Sequence, residues 1–277
     1  MDRAPLDEAA LRRDLLAPAG PLAWLEVVES SPSTNTELVQ RARQNAGLAA
    51  PGVLIAEHQV AGRGRAGRTW ETPPRAALTV STLLRPRLSG PALGWVPLAA
   101  GVAVARVVQG ADVEARLKWP NDVLVPAETD AAGLGPFRKV AGVLAEALPG
   151  GVVVGIGLNV SQSADELPVP TATSLALAGA GPLDRGRLLA SLVHELTTAV
   201  AQLEDAGGDA VAAGLAREYA ELSATLGTSV RAERAGGSAV VEGTAVRIAD
   251  DGALVIETSD GEQILMAGDV HHLRTAP

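Results

Sequence analysis

The stretch Gly62-Arg63-Gly64-Arg65-Ala66-Gly67-Arg68-Thr69-Trp70-Glu71-Thr72-Pro73-Pro74 decides the fold class. Gly62, Gly64 and Gly67 meet the Gly-x-Gly-x-x-Gly spacing of a dinucleotide fingerprint and follow a β-branched run, Val53 to Glu57. That fingerprint works only where the glycine loop opens a helix and an acidic residue further on holds a ribose. Here Pro73-Pro74 intervene, no acidic residue stands between Thr72 and Ala111, and the chain returns to a strand, Ala76 to Leu84. A doubly wound dinucleotide fold is therefore excluded. What remains is a flexible loop dense in backbone N–H groups and guanidinium forks, suited to a phosphate or acyl-phosphate anion. Trp70 could stack on a flat base.

Working outward, a polar run from Ser30 to Asn35 leads into a helix expected over Thr36 to Gln44, and Pro51-Gly52 turns the chain into the Val53 strand. After Ala76 to Leu84 comes an apolar stretch bracketed by Arg87 and Arg106. Its glycines and prolines mark a buried helix near Trp95 to Val108, not a membrane span. Arg116 to Trp119 and Val123 to Val125 flank a Pro-Asn-Asp corner, Pro126 to Pro136 reads as a loop, and Lys139 to Leu148 and Gly151 to Val160 read as strands. A flexible segment, Ser161 to Gly181, precedes helix formers over Arg187 to Gln202 and Asp209 to Ala224. From Thr228 onward short strands alternate with turns such as Asp250-Asp251-Gly252 and Asp260-Gly261. The expected class is α+β, a mixed β-sheet with flanking helices over 1–226, followed by a small β-barrel over 227–277.

Composition narrows the functions. The 277 residues contain 23 Lys+Arg against 32 Asp+Glu, no cysteine and 47% hydrophobic residues. Extended disorder is excluded, and so are disulfides, thiol nucleophiles and cysteine-ligated metal. The net charge of −9 argues against a protein that coats nucleic acid. Met1 to Leu16 mixes acidic and basic residues and lacks a signal-peptide plan, so the reading is a short surface helix and a cytoplasmic protein. Yet Gln59 to Ala111 holds seven arginines and one glutamate, a local +6 that suits a focused anion site for something the size of a nucleotide. No phosphate-loop motif, no Gly-x-Ser-x-Gly elbow and no metal-spaced histidines appear, so no metal ligands are expected.

Four elements carry chemistry. The arginine–glycine loop is the first. The second is Lys118-Trp119-Pro120-Asn121-Asp122, where a lysine stands between apolar neighbours in a chain with only one other lysine, Lys139. That placement marks a partly buried point charge. Two of the four tryptophans fall within these two elements, a placement that bulk packing would not require. Ser33-Thr34-Asn35 supplies hydroxyls and an amide just before a helix, where a plain N-cap is the alternative. Gly155-Ile156-Gly157-Leu158-Asn159 is a strand whose glycines allow close approach, with a bulge as the alternative and Asn159 as a base-reading amide.

Together these elements resemble biotin protein ligases: Ser33-Thr34-Asn35, then Glu57-His58-Gln59-Val60-Ala61 running into Gly62 to Trp70, then Lys118 to Val123, Lys139-Val140-Ala141-Gly142-Val143-Leu144-Ala145-Glu146, and Gly155 to Asn159. The resemblance runs from Ser33 to Val160, and the terminal barrel matches as well. It implies a catalytic domain of the class II synthetase-like biotin/lipoate ligase type, an SH3-like barrel, and two half-reactions. In the first, biotin and ATP give biotinoyl-AMP and pyrophosphate, with Mg²⁺ arriving on ATP. In the second, a lysine of the biotin carboxyl carrier domain of an acetyl-CoA or propionyl-CoA carboxylase takes the acyl group. By the same resemblance Ser33, Thr34, Asn35, Gln59, Arg63, Gly64, Arg65 and Lys118 contact biotin. Arg63, Arg65, Arg68, Trp70, Lys118 and Asn159 contact ATP or the adenylate, with Lys118 and Arg65 catalytic.

Departures from the family pattern are also legible. The stretch ahead of Ser33 is too short for the winged helix-turn-helix of repressor members, so a monofunctional ligase with no DNA and no membrane partner is expected. Val60 stands where the family often has a polar residue, and the segment from Pro126 to Phe137 looks longer than usual. Lipoate or octanoate ligases on the same scaffold, a nucleic-acid-binding module and a non-catalytic ligand sensor are the competing classes. Whether the protein is a monomer or a homodimer is not readable from sequence.

Overall fold

The computed structural model describes residues 3–88, 90–234, 240–266 and 268–272. The first element is a short helix, α1 (Glu8–Leu15), capped by the Asp7 carboxylate accepting from the Ala10 N–H and burying Leu11 and Leu15. A seven-stranded sheet follows, built from β1 (Trp24–Val28), β2 (Gly52–Ala56), β3 (Ala77–Leu84), β4 (Arg116–Lys118), β5 (Asp122–Ala131), β6 (Gly135–Leu148) and β7 (Gly151–Asn159). Their order is β1-β2-β3-β7-β6-β5-β4, with β1 and β2 parallel and every other pair antiparallel, the mixed sheet expected.

Alternation along the strands sorts the side chains onto two faces. Leu54, Leu83 and Val153 meet α2 (Thr34–Gln44) through Leu38, Val39 and Ala42. The opposite face, with Val53, Ile55, Leu78, Val80 and Val154, packs into the main core with α3 (Val96–Gln109) and α4 (Arg185–Asp205). The segment Gly90–Gln109 is long and apolar enough to cross a membrane, yet 67% of its most apolar window is buried inside the fold, as expected of a core helix. Arg106 near the end of α3 donates to Glu195 of α4 at 3.1 Å and to Glu218 of α5 (Leu215–Leu222) at 2.6 Å, tying three helices together.

Three sequence expectations change. The segment after Val125 is an extension of the β5–β6 hairpin, reached through a register shift and closed at Ala131–Gly135, with Gly133 and Gly135 at positive φ where L side chains strain. The expected helix from Asp209 shrinks to α5, because the Asp209 carboxylate accepts from the Val211 and Ala212 N–H groups in a turn and Gly214 sits at φ 77°. The Ser161 to Gly181 segment is an ordered polar clasp: Gln162, Thr173 and Ser174 are buried, and Ser174 Oγ donates to the Gln162 carbonyl at 2.7 Å.

The carboxy-terminal unit comprises β8 (Ser229–Arg234), β9 (Val240–Ile248), β10 (Leu254–Thr258), β11 (Gly261–Leu265) and β12 (Gly268–His272), an antiparallel sheet in the order β11-β10-β9-β8-β12. Its Val230, Ala245, Leu254 and Ile256 join the same core as the large sheet. The β9–β10 turn is the main anchor. Trp95 Nε1 donates to the Ala249 carbonyl at 3.1 Å and Trp119 Nε1 to the Gly252 carbonyl at 3.0 Å, both rings 1% exposed. Trp119 is thus a core peg at the junction, whereas its motif position had suggested work at a ligand.

Candidate active site

The sheet face beneath α2 opens into a cavity whose wall includes Ser33, Thr34, Asn35, Gln59, the loop from Arg63 to Trp70, Thr79, Ser81, Asn121, Asp122, Lys139, Gly142, Gly155 and Gly157. The sequence places these groups far apart. Strand pairing brings them together, since Thr79 lies opposite Gly157, Ser81 opposite Gly155, and Gly142 opposite both Gly157 and Asp122.

The polar end is a connected hydrogen-bond chain at the start of α2. Gln59 Oε1 accepts from the Thr34 N–H at 2.8 Å and from the Thr34 hydroxyl at 3.1 Å, which leaves its NH₂ as the group it can offer. Ser81 Oγ donates to Thr34 Oγ1 at 2.9 Å, and Asn35 Nδ2 donates to Glu146 at 2.7 Å. A Cβ at Gly155 would come within 2.6 Å of Asn35 Oδ1, so this glycine is required by the approach of the amide. Ser33 caps α2, accepting from the Thr36 N–H at 3.5 Å, so the N-cap reading of Ser33 and its place on the cavity wall both hold.

The arginine–glycine loop covers the other end. Gly64 N–H donates to the Arg68 carbonyl at 2.7 Å and Trp70 N–H to the Gly62 carbonyl at 2.8 Å, closing a compact turn in which Ala66 and Gly67 both take positive φ. Arg65 reaches Asn121 Oδ1 at 3.4 Å and Arg63 reaches Thr36 Oγ1 at 3.4 Å, while Arg68 stays exposed on the rim. The Trp70 ring enters the cavity and lies against Gly157, where a Cβ would strike the indole, and near Gly142, where a Cβ would be 3.3 Å from it. Its Nε1 is buried with no hydrogen-bond partner, and Lys139 Nζ stands 5.6 Å from the ring centroid. Lys139 also pairs with Asp122 at 2.6 Å.

Of the residues expected from sequence, Ser33, Thr34, Asn35, Gln59, Arg63, Gly64, Arg65, Arg68 and Trp70 meet at this cavity. Lys118 does not line it. It ends β4, half-buried, directly across from Asp122, so its side chain leaves the same sheet face one strand beyond the cavity wall. Asn159 does not line the cavity: its Nδ2 donates to the Thr173 carbonyl at 2.8 Å and its Oδ1 accepts from Gln162 at 2.8 Å, which ties the amide to the polar clasp with one N–H and one lone pair still to offer. Sequence reading gave no site role to Asp122, Lys139, Thr79 or Ser81. The rarity of lysine was the available signal for Lys139, but the others become visible only through cross-strand register. Glu57, within the same motif as Gln59, faces away from the cavity and pairs with Arg185 at 2.6 Å, both nearly buried. Among the described residues no group of three His, Asp or Glu side chains could hold a metal ion.

A cationic loop over a polar, glycine-lined slot suits a ligase that joins an acid to a nucleotide, and comparison with known proteins agrees. Residues 27–163 match the biotin/lipoate A/B protein ligase family, and residues 225–273 match the biotin protein ligase C-terminal domain. The chain is 41% identical to the biotin--[acetyl-CoA-carboxylase] ligase of Mycobacterium tuberculosis over 98% of this chain and 97% of that protein. It is 35% identical to the bifunctional ligase/repressor BirA of Escherichia coli over 68% of this chain and 56% of that protein. The biotin protein ligase from Aquifex aeolicus, solved in complex with biotin and ATP, superposes with a TM-score of 0.69 at 26% identity, covering 92% of this chain and 99% of that one. The chain belongs to the biotin protein ligase family.

Proposed function

We propose that this ligase activates biotin with ATP to biotinoyl-5'-AMP, releasing pyrophosphate, and passes the biotinoyl group to a lysine of the biotin carboxyl carrier domain of an acetyl-CoA or propionyl-CoA carboxylase. The observation that carries this reading is the cavity itself, where the Ser33-Thr34-Asn35 element, Gln59 and the arginine loop face one another across a floor of glycines. A carboxylase as the acceptor is supported by the name of the 41% identical relative, which specifies acetyl-CoA carboxylase. The reaction would run in the cytoplasm, with 1–226 as the catalytic unit and 227–277 as the unit seated on it.

In the first half-reaction an oxygen of the biotin carboxylate attacks the α-phosphorus of ATP and pyrophosphate leaves. In the second, the acceptor amine attacks the acyl carbon and AMP leaves. No protein nucleophile is needed. The hydroxyls of Ser33 and Thr34 and the amides of Asn35 and Gln59 would hold the polar ring of biotin, orienting its carboxylate toward the loop. Arg63, Arg65, Arg68 and Lys118 would offset the repulsion between carboxylate and phosphate, an electrostatic contribution strengthened where water is excluded. Mg²⁺ would come with ATP, bound to its phosphates.

Exchange of labelled pyrophosphate into ATP, measured with biotin, lipoate and octanoate in parallel, tests the reading without a carrier protein. Exchange with biotin alone is the expected result. Exchange with lipoate or octanoate would reassign the substrate, and none with any acid would overturn adenylate chemistry.

A further inference from the structure

We propose that Thr225, with His272 behind it, is a positioning residue for Lys118. The inference rests on the reading of Lys118 as the cation that meets the reacting anions.

Lys118 sits at an edge of the large sheet, where one neighbouring strand alone would leave its backbone loosely held. The linker between α5 and β8 supplies the missing side. Ala224 N–H donates to the Leu117 carbonyl at 2.8 Å, Leu117 and Ser223 form a parallel bridge, and the Trp119 N–H donates to Thr225 Oγ1 at 3.2 Å. The residues on either side of Lys118 are therefore both held by the linker. Thr225 is fully buried, an unusual place for a hydroxyl unless each of its bonds is filled.

Its second partner is His272, the last residue of β12, whose Nε2 lies 3.2 Å from Thr225 Oγ1. A hydroxyl that accepts from Trp119 still has its own proton to give, and a neutral imidazole nitrogen can accept it. The environment favours that neutral form, because burial first, and then the nearby Lys118 ammonium and His271, push the His272 pKa down to about 4. The backbone N–H of His272 donates to the Gly133 carbonyl of the β5–β6 hairpin at 3.4 Å. A chain of contacts thus runs from the last strand of the small sheet, through one threonine hydroxyl, to the peptide unit carrying Lys118. Neither Thr225 nor His272 lines the ligand cavity, so their effect would reach the reaction only through Lys118.

The test is biotin-dependent pyrophosphate exchange by the full-length protein. Thr225→Val keeps the shape and removes the acceptor, and should lower kcat at least tenfold while leaving the KM for biotin within twofold. Thr225→Ser, which restores the oxygen, should recover most of that rate. In a Lys118→Ala background Thr225→Val should change the residual rate less than twofold, since the residue acts through the ammonium. Should Thr225→Val fail to fold, His272→Phe, which removes only the second partner, carries the same comparison. Loss of activity by Lys118→Ala together with full activity of Thr225→Val would overturn the positioning role alone, as would equal losses in both backgrounds. Full activity of Lys118→Ala would instead overturn the reading on which it rests.

Discussion

At the scale of single residues, the cavity depends on atoms that are absent as much as on those present. Gly157 faces the Trp70 indole so closely that a methyl group would displace the ring. Gly157→Ala is therefore expected to weaken biotin binding by at least tenfold with the melting temperature little changed, because β7 is an extended strand that accepts alanine. Titration calorimetry with biotin checks it, and unaltered affinity would show that the ring can move aside at no cost. Lys118 makes the complementary case. If its ammonium offsets the meeting of two anions, Lys118→Ala lowers adenylate formation by at least 10²-fold, about 2.7 kcal/mol of barrier, without unfolding the protein. Single-turnover formation of biotinoyl-AMP reads this directly, and an unchanged rate would remove Lys118 from the mechanism.

At the scale of elements, the arginine loop differs from the strands around it. It is fastened by a few bonds of its own, notably Gly64 to Arg68 and Trp70 to Gly62, and by the 3.4 Å contact from Arg65 to Asn121. Segments with so few buried apolar contacts open at low cost, which suits a cover over a reactive mixed anhydride. Arg65→Ala should then release biotinoyl-AMP faster than the unsubstituted protein, seen as a shorter residence time and as biotinylation of unrelated lysines. An unaltered dissociation rate would rule out the cover. Legibility also varied by element. The glycine–arginine loop, α2 and most of the strands could be read locally, because glycine, proline and β-branched runs act on their own neighbours, whereas β1 and β12 were not expected. The β5–β6 hairpin and the shortened α5 could not: the first follows a register shift, and the second starts only after an Asp209 turn and a left-handed Gly214 within otherwise helix-forming sequence.

At the scale of the whole molecule, two arrangements join distant parts of the chain. Arg185 at the head of α4 donates to Glu57 at 2.6 Å and to the Ala4 carbonyl at 2.8 Å, while Glu57 accepts from the Leu6 N–H at 2.6 Å. Arg185→Met would leave the Glu57 carboxylate buried without its counter-charge, and the expected loss is about 3–5 kcal/mol in urea unfolding. A loss below about 1 kcal/mol would show that water replaces the guanidinium. The second arrangement is His272. Its folded pKa is depressed to about 4, whereas an unfolded histidine titrates near 6.5. Between these values the unfolded chain binds a proton that the folded chain does not, so this contribution is complete above pH 6.5 and is lost as pH falls toward 4. Stability measured at pH 7 and pH 5 should fall less in His272→Gln than in the unsubstituted protein, and parallel falls would contradict the half-buried neutral imidazole.

The sequence by itself determined the class of fold, the family and part of the cavity wall, because those features reside in contiguous residues whose chemistry is local: an arginine–glycine loop and a capped helix start. Tertiary structure alone decided which of them meet. Cross-strand register brought Lys139 and Asp122 to the loop, turned Asn159 into the clasp, sent Glu57 to the far face and made Trp119 a peg for the β9–β10 turn. The physical reason is the two-residue period of a strand, which assigns neighbouring positions to opposite faces. What lies on each face is supplied by elements dozens of residues away.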